Sequence, residues 1–545
     1  MNTLFFKLLK GRKRRNNMKR YYFAALAVCM GLAAAGQDST AADENVEKAV
    51  SNISHAITII DSTWDKSVCG STINTYVADS YDLDKRKASG ASDVWPYTAA
   101  IEGHCAILEA LKALKDADAK AYDENFSSAI EKYTGRLNRL IENLEYYRGT
   151  YMLTSYTGSH SWSPYAVPRA GSKGGANVSG ILNVYDDQMW LCRELIRAYR
   201  VTDNTDYRDL AAYLADYVID GWDCWRDADG KEYGGITWGP GYNSKHACSN
   251  APIIQPLVWL SDIYKDSEET MIYATRNESN GVKRETLPRT EVYLTMAKKV
   301  YDWQYEKLRH ESGVYWDMMG ADNTIKVSRG ARQHVDCGDA VGNFYSYNTG
   351  TMIAGAAELY RVTGEQRYLT DMETSIAGAF KEFHRMVGSQ RKYEMKTDNS
   401  ASSGFNTWFN NVLFRAYIDA DLYLPANGNL QKAIDGHQYC LDYAMDKRLK
   451  DDQLPIKLLN GWGSDTMTKA FHQFSFVSEM SMLAVKNLRD AARSGIESVA
   501  ADGADATLDD AKVYTLSGVL IGRYADVKGS LQPGIYLCNG RKIRL

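Results

Sequence analysis

Apolar residues recur at steps of three and four through most of this chain, and that period predicts helices. Val46, Val50, Ile53, Ile57, Ile60 and Trp64 form one such stripe, giving an amphipathic helix over Glu44 to Trp64. Further helices are expected over Ala99 to Leu114, Asn125 to Tyr147, Leu210 to Ile219, Glu291 to Leu308 and Leu369 to Phe383. Asn406 to Leu422, Leu430 to Met445 and Phe471 to Leu488 continue the series. Strand-like alternation is absent through most of the chain up to about Arg493. An internal repeat aligns Ala198-Tyr199-Arg200-Val201-Thr202-Asp203 and Tyr207 with Leu359-Tyr360-Arg361-Val362-Thr363-Gly364 and Tyr368. Each copy marks a helix, a short polar turn and a second helix. One helical hairpin cannot bury its own apolar face, so several must pack side by side. About twelve helices suffice for six hairpins closed into a ring.

Between the helices lie long loops rich in Gly and aromatics: Tyr151 to Val184, Trp222 to Asn250, Gly313 to Asn348 and Tyr393 to Asn406. Long ordered loops in a compact domain commonly carry function. The polar insertion Asp266 to Arg289 reads as a solvated elaboration. After Arg493 the composition turns to Ala, Gly, Asp and Ser. Short strands are then expected at Lys512 to Gly518, Val519 to Tyr524 and Gly534 to Lys542. The expected organisation is a leader over 1–36, a helical domain over 37–493, a linker over 494–510 and a short β segment over 511–545. The leader reading rests on a basic block, Lys10 to Arg20, followed by a short apolar run from Tyr21 that ends in small residues. This is the pattern of an export signal, cleaved near Ala35 to Gln37. Cys29 faintly resembles a lipoprotein attachment site.

Composition narrows the picture modestly. With 45% hydrophobic and 24% charged residues the chain is globular, and a net charge of -4 argues against a nucleic-acid partner. The 37 Tyr and 12 Trp supply flat faces with polar edges, which suit sugar rings as well as cores. Eight cysteines beyond Cys29 are scattered, with no CxxC and no His at zinc-ligand spacing, so neither a metal nor another cofactor is expected.

The candidate chemistry lies in Asp186-Asp187. The pair follows an uncharged, Gly-containing run from Gly174 and opens the helical stripe Met189, Cys192, Leu195, Ile196 and Tyr199. Either acid suits a helix entrance simply by complementing the helix dipole. Two close carboxyls also suit hydrolysis of a glycosidic bond, one as acid and base, the other as nucleophile or water activator. Mutual repulsion then keeps one of them protonated. Asp451-Asp452 and Asp509-Asp510 lie in charged or linker contexts and read as surface.

The surroundings set Asp186-Asp187 apart. Tyr185-Asp186-Asp187-Gln188-Met189-Trp190, Gly234-Gly235-Ile236-Thr237-Trp238, Lys245 with Asn250, and Tyr347-Asn348-Thr349-Gly350 leading to the Leu359 repeat together resemble glycoside hydrolase family 76, the endo-α-1,6-mannanases. The resemblance runs from about Glu44 to Arg493. It implies an all-α, (α/α)6 barrel and retaining hydrolysis of α-1,6-mannan backbones, with Asp186 as nucleophile and Asp187 as acid/base. It also implies that Gly234, Gly235, Trp238, Lys245, Asn250, Tyr347 and Asn348 contact substrate. Local alternatives are a tight turn at Gly234-Gly235, a core Trp238, a surface Lys245, and helix caps at Asn250 and Asn348. The family's Lys-Asn-Ala segment is here Lys245-His246-Ala247, so a sugar contact or loop shape is expected to differ. Asp227-Ala228-Asp229-Gly230 lacks the distal Glu of a calcium loop, and His334 reads as a satisfied loop histidine. Ala511 to Leu545, with Gly534-Ile535-Tyr536 and Gly540-Arg541-Lys542, resembles a type IX secretion sorting domain, which implies a secretion-machinery partner and a cell-surface or extracellular destination. Competing expectations are a sugar isomerase or unsaturated-uronyl hydrolase on the same barrel, and a non-catalytic glycan-binding protein.

Overall fold

The computed structural model describes residues 41–544, apart from 180–181, 321–331, 333, 389–391, 398–406, 465, 503–510, 515–519, 529–534 and 539–540. The expected export signal lies outside the described residues. Among the described residues, thirteen α-helices lead up to the C-terminal strands: α1 (Ala41–Ser67), α2 (Val94–Ala117), α3 (Ala119–Phe126), α4 (Ala129–Asn143), α5 (Tyr185–Thr202), α6 (Thr205–Ile219), α7 (Ile254–Ile263), α8 (Arg289–Leu308), α9 (Ser346–Thr363), α10 (Gln366–Phe383), α11 (Thr407–Ala420), α12 (Gly428–Lys447) and α13 (Ala470–Asp502). Six of them, α2, α5, α7, α9, α11 and α13, form an inner ring in which each packs on the next and α13 closes on α2. The outer helices α1, α4, α6, α8, α10 and α12 lie against this ring. The expected (α/α)6 barrel is therefore the observed architecture.

Local chemistry explains the hairpins. The outer helix α4 buries one stripe, Tyr133, Leu137, Leu140 and Ile141, as an amphipathic surface helix should. The inner helix α5 is buried on nearly every side. The repeated turn is a left-handed helix ending: Asp203 (φ 58°) and Gly364 (φ 67°) donate their N–H groups to the carbonyls of Tyr199 and Tyr360.

Three expectations need correction. The single helix over Asn125 to Tyr147 is broken: α3 starts where Asp118 caps the Ala121 N–H, and α4 restarts after Ser127-Ser128. The insertion after Asp266 is an antiparallel hairpin, Thr270–Arg276 paired with Val282–Pro288. Its turn is closed by Asn277, whose side-chain oxygen accepts the N–H groups of Ser279 and Gly281. The second strand is almost wholly exposed, whereas Met271, Tyr273 and Ala274 of the first pack against the barrel core. Lastly, α13 runs on to Asp502 and covers the first part of the expected linker. The C-terminal segment forms a four-stranded antiparallel sheet with its own small cluster of Ala511, Val513 and Cys538. All eight cysteines from Cys69 to Cys538 are free thiols.

Closing six helices around an axis buries charge as well as apolar surface. Glu102 on α2 accepts hydrogen bonds from Arg415 Nη1 (2.8 Å), Asn411 Nδ2 (2.9 Å), Trp408 Nε1 (3.2 Å) and Ser478 Oγ (3.3 Å), tying α2 to α11 and α13. Arg197 on α5 grips Glu109 of α2 at 2.9 and 2.6 Å. Arg193 reaches Gln255 of α7 at 3.1 Å, and Gln255 reaches Asp419 of α11 at 2.9 Å. Burial alone would raise the Glu102 pKa, but Arg415, Arg193 and Arg197 lower it to about 2. Arg415 is lowered to about 10 by burial and by Arg193, and stays charged at neutral pH.

Breaking a buried pair leaves one charge uncompensated, at a cost of about 3–5 kcal/mol. Glu102→Gln should lose about that much stability near pH 7. Because the folded pKa of Glu102 lies below its ordinary 4.5, the native pair stabilises above that value and loses its contribution as pH falls toward about 2. Urea unfolding should therefore show the gap between wild type and variant narrowing below about pH 4.5. A gap of equal size at acid and neutral pH would contradict this account.

Candidate active site

Tyr185, Asp186 and Asp187 are the first three residues of α5, after an extended Val184. The helix start is pinned from outside, because Tyr185 N–H donates to the Trp238 carbonyl at 2.8 Å. The same Trp238 donates its indole N–H to Asp186 Oδ2 at 3.3 Å. One loop residue thus satisfies an orphan helix amide with its backbone and a carboxylate with its side chain. Asp186 Oδ1 is buried without a hydrogen-bond partner among the described residues. Asp187 is only 6% exposed.

The two carboxyls are not equivalent. For Asp186, burial raises the pKa while the Cys248 thiol, the Trp238 indole and the first amides of the helix pull it back down. For Asp187, burial, the Asp186 charge and Asp93 all push the same way, and its pKa stands well above the ordinary 3.8. Both groups hold their protons to higher pH than an exposed aspartate, Asp187 the more strongly.

The structure sorts the other expected site residues into two groups. Tyr347 and Asn348 are in the first turn of α9, where Tyr347 comes close enough to Asp186 to feel its charge. The Tyr347 hydroxyl reaches Cys248, and burial together with the charges of Cys248, Asp317 and Asp186 raises its pKa. Asn348 Nδ2 donates to Asp317 Oδ1 at 3.4 Å, and Asn348 Oδ1 has no partner among the described residues. Trp238 belongs here too, with one face stacked on His246 at 4.7 Å and 22°.

The remaining four, Lys245, Asn250, Gly234 and Gly235, are engaged within the loop that carries Trp238. Lys245 is 3% exposed, and its ammonium donates to Asp223 Oδ2 (2.9 Å) and the Gly234 carbonyl (2.7 Å). Asn250 is fully buried: its Oδ1 accepts Ile236 N–H at 2.8 Å, and its Nδ2 donates to the Ile236 and His246 carbonyls at 2.9 and 2.7 Å. Gly234 and Gly235 take φ of 66° and 73°, and a Cβ on either would meet the Trp303 ring at 2.7 or 2.5 Å. An amide or ammonium already committed inside a loop has little left for a ligand.

His334 is satisfied by Asp223 (Nδ1 to Oδ2, 3.0 Å) and stacks on Trp225. The Asp227 carboxylate closes its own turn on the N–H groups of Asp229 and Lys231. Sequence reasoning missed Cys248, Asp317, Asp93 and Asp223. Cys248 read as core, the acids stood in loops without a distinguishing motif, and only the fold brings them to the site.

With this geometry in view, comparison with known proteins is decisive at the level of family. The family described as glycosyl hydrolase family 76 matches residues 175–276 and 284–490. The chain belongs to that family. The match opens just ahead of Asp186-Asp187 and skips only the tip of the 270–288 hairpin. No curated protein matches. A family 76 mannosidase from Bacteroides thetaiotaomicron VPI-5482 is similar in structure, at 20% identity and TM-score 0.57 over 80% of this chain and 98% of that one. The α-1,6-mannanase GH76A from Salegentibacter sp. HEL1_6 gives 19% identity and TM-score 0.52, over 80% and 99% of the two chains. An inactive variant of that mannanase, with two consecutive aspartates replaced by alanine, was solved with α-1,6-mannotetrose and matches at 19% identity and TM-score 0.51, over 80% of this chain and 99% of that one. These likenesses establish a shared fold, and the family makes the chain a glycoside hydrolase.

The raised Asp187 pKa has a consequence for stability in this family 76 chain. Unfolded, the group releases its proton near 3.8; folded, it holds the proton to higher pH, so stability falls as pH rises through that window. Asp187→Asn should therefore raise the thermal unfolding midpoint near pH 7, with the gain vanishing below the ordinary carboxyl pKa. A lowered midpoint at neutral pH, or a gain that persists in acid, would count against the assignment.

Proposed function

We propose that this chain is a retaining, endo-acting glycoside hydrolase that cleaves α-1,6-mannosidic bonds in mannan backbones. The observation that carries the reading is the asymmetry of the pair: hydrogen-bond donors gather on Asp186, and only burial and negative charge face Asp187. In the first step the Asp186 carboxylate attacks the anomeric carbon. The glycosidic C–O bond breaks and the Asp187 proton passes to the departing oxygen. In the second step Asp187, now a carboxylate, takes a proton from water. That oxygen attacks the anomeric carbon and Asp186 leaves as a carboxylate. Trp238 steadies the charge on Asp186 Oδ2 through its N–H, and Tyr347, Asn348 and Asp317 are the side chains beside the pair that a bound mannose would meet. The α-1,6-mannan specificity is supported by the family and by the likeness to the Salegentibacter mannanase.

The same reading has the enzyme exported, supported by the basic and apolar N-terminal pattern, with delivery to the cell surface or beyond through the C-terminal segment that resembles a sorting domain.

Incubation with linear, debranched α-1,6-mannan provides the test. Wild type should release a ladder of oligomers whose new reducing ends keep the α configuration. Asp187→Asn should lower kcat by roughly 10²–10⁴-fold. Full activity in Asp187→Asn, or β-configured products, would defeat the two-step reading, and mannose alone would defeat endo action.

A further inference from the structure

Trp238 reaches Asp186 through a single donor, so whatever orients the indole orients that hydrogen bond. The backbone of Trp238 is fixed on both sides: its N–H donates to the Ser244 carbonyl at 3.0 Å, and its carbonyl accepts the Tyr185 N–H at 2.8 Å. Those bonds leave both side-chain torsions free. The ring must be held by what it lies against.

His246 supplies a flat surface for it. The two ring centroids are 4.7 Å apart and the planes differ by 22°, a stacked geometry. Tyr242 meets the indole at the same distance but tilted by 49°. His246 is itself 6% exposed and fixed from three directions. Its Nε2 hydrogen-bonds with Ser244 Oγ at 2.9 Å, its N–H donates to Ser249 Oγ at 3.2 Å, and its carbonyl accepts Asn250 Nδ2 at 2.7 Å. The strand Lys245–His246 also pairs with Met318 and Met319. Burial lowers the imidazole pKa to about 4, so the face under the indole is uncharged at neutral pH. An uncharged ring adds little field of its own at Asp186, and its influence there passes through the indole. His246 is also where this chain departs from the Lys-Asn-Ala segment of its family, and an Asn has no ring to offer.

We propose, resting on the reading of Asp186 as nucleophile, that His246 is a positioning residue: its imidazole holds the Trp238 ring in the plane that aims the indole N–H at Asp186 Oδ2. The carboxylate gives up its charge as it bonds the anomeric carbon and recovers it when the glycosyl-enzyme is hydrolysed. A donor already in place on one oxygen keeps the carboxylate oriented for attack and stabilises it as it leaves. The other titratable groups that act around Asp186 are Asp187 on α5, Cys248 in the loop and Tyr347 on α9. None of these is touched by a change at His246.

The test compares three full-length variants on linear α-1,6-mannan. His246→Phe keeps the flat face and should hold kcat within about threefold of wild type, whereas His246→Ala and His246→Asn should lower kcat about tenfold with KM nearly unchanged. Losing a donor raises the pKa of Asp186, so the acid limb of kcat/KM should move to higher pH in the Ala and Asn variants only. In a Trp238→Phe background, which has no indole N–H, His246→Ala should cost nothing further. The indole N–H resonance of Trp238 in ¹⁵N-labelled protein gives a readout independent of substrate. It should respond to the titration of Asp186 in wild type and His246→Phe, and lose that response in His246→Ala. The proposal is overturned if His246→Ala matches wild type, if His246→Phe loses as much as His246→Ala, or if the loss persists in full without the indole N–H. A wild type inert on the mannan would defeat the proposed function instead, and the indole resonance would then decide the role of His246: a response unchanged in His246→Ala overturns it.

Discussion

Two carboxyls on consecutive residues, held out of water at one helix entrance, cannot both ionise freely, and the architecture around them resolves that conflict. The resolution is a division of donors. Trp238 and Cys248 face Asp186, whereas Asp187 faces burial and further negative charge. Keeping Trp238 in place requires the loop beneath it, which explains why Lys245, Asn250, Gly234 and Gly235 are occupied with one another. Lys245 neutralises Asp223 and holds the Gly234 carbonyl, Asn250 clamps both sides of Ile236, and the two glycines let the backbone lie flat on Trp303. These four residues hold the loop that carries Trp238.

The barrel imposes a second condition. Six inner helices facing one axis must bury all their sides, and here the axis carries an Arg193–Glu194–Arg197 cluster and a Glu102–Arg415 pair close enough for Arg193 and Arg197 to act on Glu102. Such a network adds little net stability over an apolar core but punishes any misregistered neighbour, because a shifted helix strands a charge. Since Arg193, Glu194 and Arg197 sit on α5 itself, the network also fixes the rotation of the helix that carries Asp186 and Asp187.

Much of this was legible in the chain. The step of three and four residues marked the outer helices, and the repeat at Asp203 and Gly364 marked two equivalent polar turns, which the structure shows as left-handed helix ends. The acid pair stood out because of its company along the sequence. What escaped was whatever depends on distant segments meeting. Cys248, two residues beyond His246, looked like one more small core residue, and Asp317 lay in a loop with no motif. The buried partners of Lys245 and Asn250 escaped for the same reason, since polarity along a sequence does not say which way a side chain turns. The 270–288 hairpin was missed because its second strand is almost wholly exposed, which erases the alternation that reveals a half-buried strand. The N-terminal export pattern remains a reading of sequence alone.

The division of labour within the pair can be measured directly by following the carboxyl carbons of Asp186 and Asp187 through a pH titration of the labelled protein by NMR. The account predicts that Asp186 loses its proton first and that Asp187 keeps its own to well above the ordinary carboxyl range. The opposite order, or two ordinary titrations near 3.8, would contradict it.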